Sequence, residues 1–240
     1  KKSFYKYGIA NFFSGIGFTL SNMIDVLMIS AMAGTIGVSG NDGLKAVAIY
    51  ALAAYMSSVI ELPSRAIGNI ANPLVGKAWA EDKLEDIKML YEKSAINQLV
   101  IGGLVFIGIW VNIDNIIILL NELSKDSYDY SQIKYVVFFL GLAKLFHIAS
   151  GINDAIILTS KYYLFGTYLL FGLIFITFFT NWFFIPIYGV VGAAMSTAIS
   201  LLFFNIMSFL FLLIKFKLQP FTIRTLLAIV IGVGVYFLVS

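Results

Sequence analysis

Residues 144–154 read Lys144-Leu-Phe-His147-Ile-Ala-Ser-Gly151-Ile-Asn153-Asp154. They sit inside an apolar run from about Ile133 to Thr159, long enough to cross a bilayer as a helix, which takes about 20 residues. Lys144, His147, Gly151 and Asp154 are three, four and three residues apart, the spacing of a single helical face. A charge in hydrocarbon costs at least about 2.5–3.5 kcal/mol, so this face must look onto protein or water. The spacing predicts one continuous helix whose polar stripe meets whatever the protein binds or moves. Lys144 and Asp154, about 15 Å apart along such a helix, are too distant to pair directly.

The rest of the chain is apolar in the same way. Of 240 residues, 60% are hydrophobic and 12% charged, with mean hydropathy +0.92. That excludes an ordinary soluble domain and predicts an all-α, polytopic transmembrane helix bundle, because lipid tolerates no open sheet edge. With no cysteine and a single histidine, thiol chemistry and a histidine-rich metal site are excluded. There is no phosphate-binding loop, since Gly102-Gly103 and Gly232-x-Gly234 fall within apolar spans. No catalytic constellation appears, so the chain is not expected to be an enzyme, and neither a cofactor, a metal nor a nucleic-acid partner is expected. Lys1 and Ser240 both read as cuts in a longer polypeptide.

About seven spans are expected, near residues 8–33, 46–62, 95–111, 133–158, 163–185 and 187–214, with a seventh, truncated span in 215–240 after a short linker. Pro63 is expected to end the second span, and 64–94 to be a polar segment carrying a surface helix, Glu81 to Lys93. Residues 112–131 read as an acidic loop holding a short apolar piece. Pro186-Ile-Tyr-Gly189 reads as a tight turn between spans five and six. After it, Gly192, Ser196 and Ser200 recur every four residues, the small-residue spacing that lets helices approach closely in lipid. Asn181 and Asn205 are expected to hydrogen-bond between helices.

Orientation follows from lysine and arginine. Twelve of the 16 fall in residues 1–7, 64–94, 158–162 and 215–224; three fall in the alternate segments, and the last is Lys144. The first set, with the N-terminus of the segment, is therefore expected on the cytoplasmic side.

The first span has its own polar side: Asn11, Ser14, Ser21, Asn22 and Asp25. Asp25 and Lys144 lie about 12 Å and 16 Å from the outer ends of their helices, similar depths that allow an ion pair between them. His147 or Asp25 would serve as a protonation switch, with Asp154 nearer the cytoplasmic end. Arg65 and Lys161 lie at cytoplasmic helix ends, where interfacial anchoring accounts for them first; the same cations would also meet a phosphate at the entrance.

Several stretches carry a resemblance: Ile24-Asp25-x-x-Met28-Ile29, Ala48-Ile49-Tyr50, Pro63-Ser-Arg65, Lys144-Leu-Phe, Gly151-x-Asn153, Leu158-Thr-Ser-Lys161-Tyr-Tyr and, most specifically, Asn181 through Ser200. Together they resemble the C-terminal half of bacterial polysaccharide flippases, of the multidrug/oligosaccharidyl-lipid/polysaccharide exporter superfamily. The resemblance implies one lobe (residues 1–214) of a two-lobed exporter in the bacterial inner membrane, partnered by the N-terminal half of the same transporter. It implies movement of undecaprenyl-pyrophosphate-linked oligosaccharide from the cytoplasmic to the periplasmic leaflet by alternating access. On that reading Lys144, Lys161, Arg65 and Asn153 face the substrate, and Asp25, His147 and Asp154 couple an ion. Two other readings stand beside it: a cation-coupled drug exporter, which favours an acidic cavity, and a non-transporting scaffold of a polysaccharide assembly complex, whose intramembrane charges neutralise one another.

Overall fold

The computed structural model describes residues 20, 23–32, 41–123 and 130–239, and these are helical with no strand. The polar positions Asn11, Ser14, Ser21 and Asn22 of the first span, and the acids Asp126 and Asp129, lie outside the described residues. In chain order the helices are α1 (Met23–Met32), α2 (Asn41–Ser58), α3 (Leu62–Ala80), α4 (Leu84–Val111), α5 (Ile113–Leu123), α6 (Ser131–Ala149), α7 (Asn153–Thr159), α8 (Tyr163–Phe216) and α9 (Ile223–Val239). Among the described residues, four helical stretches are long and apolar enough to cross a membrane: 43–80, 84–111, 131–149 and 163–216.

α8 is two helices in a hairpin. Gly189 alone leaves helical geometry, at φ 59° and ψ −134°, a conformation that glycine adopts without a Cβ clash. The chain reverses there, so Thr180 Oγ1 lies 3.4 Å from Ser200 Oγ, twenty residues on. Gly192 makes the close approach: a Cβ on it would stand 2.2 Å from the Phe184 carbonyl oxygen. Ala193, Ser196 and Ser200 are buried along the same seam. The two arms of α8 thus form the expected hairpin on the expected small residues.

The two faces of α8 invert the pattern of a soluble helix. Its first arm buries Gly166, Thr167, Thr177 and Asn181 and exposes Phe171, Phe175, Phe178, Phe179, Trp182 and Phe183. A large outward aromatic face suits hydrocarbon, not water.

Two sequence-based boundaries move. Pro63 does not end a helix: α2 passes through a 3-10 turn, Val59–Glu61, straight into α3. The Leu62 N–H bonds to the Val59 carbonyl in that tightened turn, and Pro63 falls in the first turn of α3, where its missing N–H costs little. Residues 64–94 are therefore mostly helix, α3 and the start of α4. The reversal between them occupies residues 81–83, where the Lys83 ammonium donates to Glu81 at 2.7 Å and holds that carboxyl below its usual value. Residues 113–123, expected to be loop, form the amphipathic helix α5.

The third correction concerns the central stretch. It is not one helix. Gly151, at φ +64°, ends α6, and the chain restarts as α7 at Asn153. A side chain at 151 would meet Ser94 Oγ at 2.9 Å and Ala95 at 3.1 Å, so the break is wedged against α4.

Apolar packing is divided into two clusters. One joins Met28, Ile29, Tyr50, Ala53, Val136, Leu140, Ile185 and Ala194; the other joins Val75, Ile87, Tyr91, Ile152, Ile156 and Leu212. Along α2–α3, α6–α7 and the second arm of α8, the stretches between these clusters carry Glu61, Lys144, His147 and Asn205, interspersed with the buried apolar Ile60, Ile148 and Phe204.

Gly192→Ala is expected to lower stability by about 1–3 kcal/mol through overpacking at the hairpin. Gly172→Ala, where nothing lies within 4 Å of the new methyl, is expected to be neutral or stabilising. Thermal unfolding in detergent measures both; equal effects would contradict the hairpin contact.

Candidate functional site

The polar layer encloses a cavity of about 260 Å³, lined by Asp25, Tyr50, Ser58, Glu61, Arg65, Lys144, His147, Asp154 and Thr197 among others. Asp25 is its most buried charge, 4% exposed. It accepts from three different helical segments: from the Tyr50 hydroxyl on α2 at 2.5 Å, from Asn181 Nδ2 on the first arm of α8 at 2.7 Å, and from Thr197 Oγ1 on the second arm at 2.6 Å. Short, charge-assisted bonds of this kind are what allow a carboxylate to persist away from water. The remaining Asn181 oxygen and the neighbouring Ser196 hydroxyl are buried with no hydrogen-bond partner among the described residues.

Lys144 does not pair with Asp25. Its ammonium lies 3.0 Å from Glu61 Oε1, with the two side chains 18% and 15% exposed. The other oxygen of Glu61 is 4.0 Å from Arg65 Nη2, one turn along α3, and Arg65 is 66% exposed. One carboxylate thus sits between two cations. The expected Asp25–Lys144 pair does not form: Glu61 takes Lys144, and three uncharged donors take Asp25.

His147 faces Asn205 on the second arm of α8, Nδ1 to Oδ1 at 3.2 Å. Asn205 Nδ2 donates to the Leu201 carbonyl, and its amide oxygen, which can only accept, faces the His147 ring. Asn153 is wholly buried and donates weakly to the same oxygen, at 3.4 Å. It therefore supports His147 from behind and does not itself line the cavity. Asp154 does line it, although the break at Gly151 takes it off the α6 face; its Oδ1 is buried without a hydrogen-bond partner among the described residues.

Lys161 stands apart. It is exposed at the start of the hairpin, its ammonium 5.3 Å from the Tyr162 ring centre. Of the seven residues singled out in the sequence, the structure brings Asp25, Arg65, Lys144, His147 and Asp154 to one cavity, puts Asn153 behind it and leaves Lys161 outside.

Sequence reasoning missed Glu61, Tyr50 and Thr197 as site residues. For Glu61 a signal was present: it is the only charged residue between Ala46 and Leu62. The other two read as ordinary span residues, since nothing local marks a hydroxyl as a carboxylate partner.

A second, larger cavity of about 670 Å³ lies between α4 and α9. Its walls are apolar apart from Arg224, Trp110 and Tyr236, and it touches none of the charged groups above. Size does not make it the chemical site. Comparison of the chain with protein-family models, curated proteins and solved structures finds no match.

Removing one donor to Asp25 is expected to cost about 1.5–3 kcal/mol, the range for hydrogen bonds to charged groups. Thr197→Val and Tyr50→Phe test this by thermal unfolding. Either loss is expected to shrink in an Asp25→Asn background, because the pair shares one interaction. Full additivity would contradict the network.

Proposed function

We propose that the chain forms one lobe of a membrane transporter that passes an anionic, lipid-linked substrate across the bilayer. The substrate that fits the reading best is undecaprenyl-pyrophosphate-linked oligosaccharide, carried from the cytoplasmic to the periplasmic leaflet. One observation carries the proposal: Lys144 lies deep within apolar helices, on a polar cavity, with Arg65 on the same wall. Intramembrane charge is costly and is retained where it works on substrate or ion. The cavity, about 260 Å³, falls below the roughly 300 Å³ at which small-molecule sites begin. It takes the charged head group only; the sugars need the room that a second lobe would add. The polyprenyl tail stays in lipid.

The seven-span topology, the cytoplasmic N-terminus of the segment and the N-terminal half as partner belong to the same proposal, supported by the twelve-to-three distribution of basic residues. Ion coupling falls to Asp25, which ties α1 and α2 to both arms of α8, with His147 and Asp154 as the groups nearer the cytoplasmic end. A proton or small cation arriving at Asp25 would compete with the three donors that hold these helices together. That links ion occupancy to helix position.

One observation favours the drug-exporter reading. Asp25, Glu61 and Asp154 all line the cavity, and an acidic cavity suits cationic drugs. The position of Lys144 argues for the anionic substrate over it. The scaffold reading draws on the neutralised Lys144–Glu61 pair and requires both residues to be dispensable.

Liposomes carrying fluorescent undecaprenyl-pyrophosphate glycan in one leaflet separate the three. The proposal expects transfer that responds to a pH or cation gradient and is lost in Lys144→Ala, with Lys144→Arg partly active. Undiminished transfer by a well-folded Lys144→Ala protein would contradict the role of Lys144. Efflux of a cationic dye with no glycan transfer would establish the exporter in its place.

A further inference from the structure

We propose that Glu61 is the resident occupant of the anion site and acts as its gate. The inference rests on the anionic-substrate reading above and adds what regulates that site. The Glu61 carboxylate bridges Lys144 and Arg65, at 3.0 and 4.0 Å through its two different oxygens. A phosphate between two cations would take the same position, because both groups present paired oxygens to N–H donors. With Glu61 in place, the positive charge of Lys144 is spent. With Glu61 withdrawn, Lys144 and Arg65 together face the cavity.

The backbone supplies a way to withdraw it. Glu61 ends the 3-10 turn Val59–Glu61, the joint where α2 passes into α3, and Pro63 follows two residues later. Tightened turns in mid-helix mark hinges, since a change from 3-10 to α geometry rotates the residue about the helix axis. Within the joint Ile60 is fully buried, and its carbonyl lies against Gly102 of α4, a fixed point for the turn. On the α3 side, Arg65 is largely exposed and free to follow a ligand. A diphosphate entering the cavity competes with Glu61 for both cations, and displacing Glu61 turns the joint. Substrate binding is thereby coupled to the angle between α2 and α3. A site without such an occupant would hold inorganic anions at all times; an internal carboxylate raises the threshold so that only a ligand bringing further contacts displaces it.

A permanently structural pair makes the opposite prediction. If Glu61 serves only to neutralise a buried lysine, its removal leaves an uncompensated charge and destabilises the protein with no gain in anion binding.

The test uses the purified protein in lipid nanodiscs with inorganic pyrophosphate as the probe, followed by calorimetry. Glu61→Gln is expected to tighten pyrophosphate binding at least about tenfold by removing like-charge repulsion. Glu61→Asp, which keeps the charge, is expected to stay near wild type. Glu61→Gln with Lys144→Ala is expected to lose the gain. Binding that depends on Lys144 but is unchanged or weaker in Glu61→Gln would overturn the gate and leave the anion site standing. No pyrophosphate binding by any variant would overturn both.

A second measurement needs no substitution. A carbodiimide joins a carboxylate and an amine in contact into an amide, itself taking up the water lost. Mass spectrometry is expected to find a Glu61–Lys144 crosslink in wild-type protein, and saturating pyrophosphate, compared with sulfate at equal ionic strength, is expected to suppress it. A yield indifferent to pyrophosphate would contradict displacement.

Discussion

A carboxylate buried among apolar helices has to find its hydrogen-bond donors inside the protein, and that constraint organises this bundle. Asp25 finds them on α2 and on both arms of α8. Apolar packing alone gives helices little reason to choose one neighbour over another in lipid, where side chains and solvent are equally apolar. A shared charge does give one. The α8 hairpin must close for Asn181 and Thr197 to converge, and the closure depends on Gly189 for the reversal and Gly192 for the close approach. The polar residues of one helix thus dictate the small residues of another.

The same constraint shapes the centre of the bundle. Lys144 and Glu61 satisfy each other, and His147 is held by Asn205, which Asn153 also reaches. Together with Asp25, which sits beside Tyr50 within the first apolar cluster, these groups form a polar layer around one cavity. A layer of paired charges is poor evidence for stability, because well-packed apolar residues would hold helices together as well or better. On the proposed function, the layer works on a charged substrate or ion.

Much of this architecture is legible in the sequence. Hydropathy marks the apolar helices, and Pro186 through Ser200 carries the hairpin because glycine and small residues act locally. The site was legible where a charge interrupts an apolar run, as at Asp25 and Lys144. It was not legible where a boundary decided the outcome. Pro63 reads as a helix end, whereas a 3-10 turn carries the helix past it, and Glu61 in that turn lies against Lys144. Likewise, helical spacing placed Lys144 and Asp154 on one face, and only a glycine at positive φ, pressed against Ser94, reveals the break. Pairings such as Asp25 with Thr197 join residues far apart in the chain, and no local pattern encodes them.

On the proposed function, the cavity at the polar layer opens to the two sides of the membrane in turn. The absence of native cysteine makes this directly measurable. A single Ser58→Cys on the cavity wall would be challenged with a membrane-impermeant maleimide from either side of sealed vesicles, with Phe175→Cys on the outward aromatic face as the lipid-facing control. The account predicts that position 58 is labelled from both sides, that an imposed ion gradient shifts the balance between them, and that position 175 stays unlabelled. A position 58 sealed from both sides under all conditions would contradict it, and would leave the buried charges as internal struts.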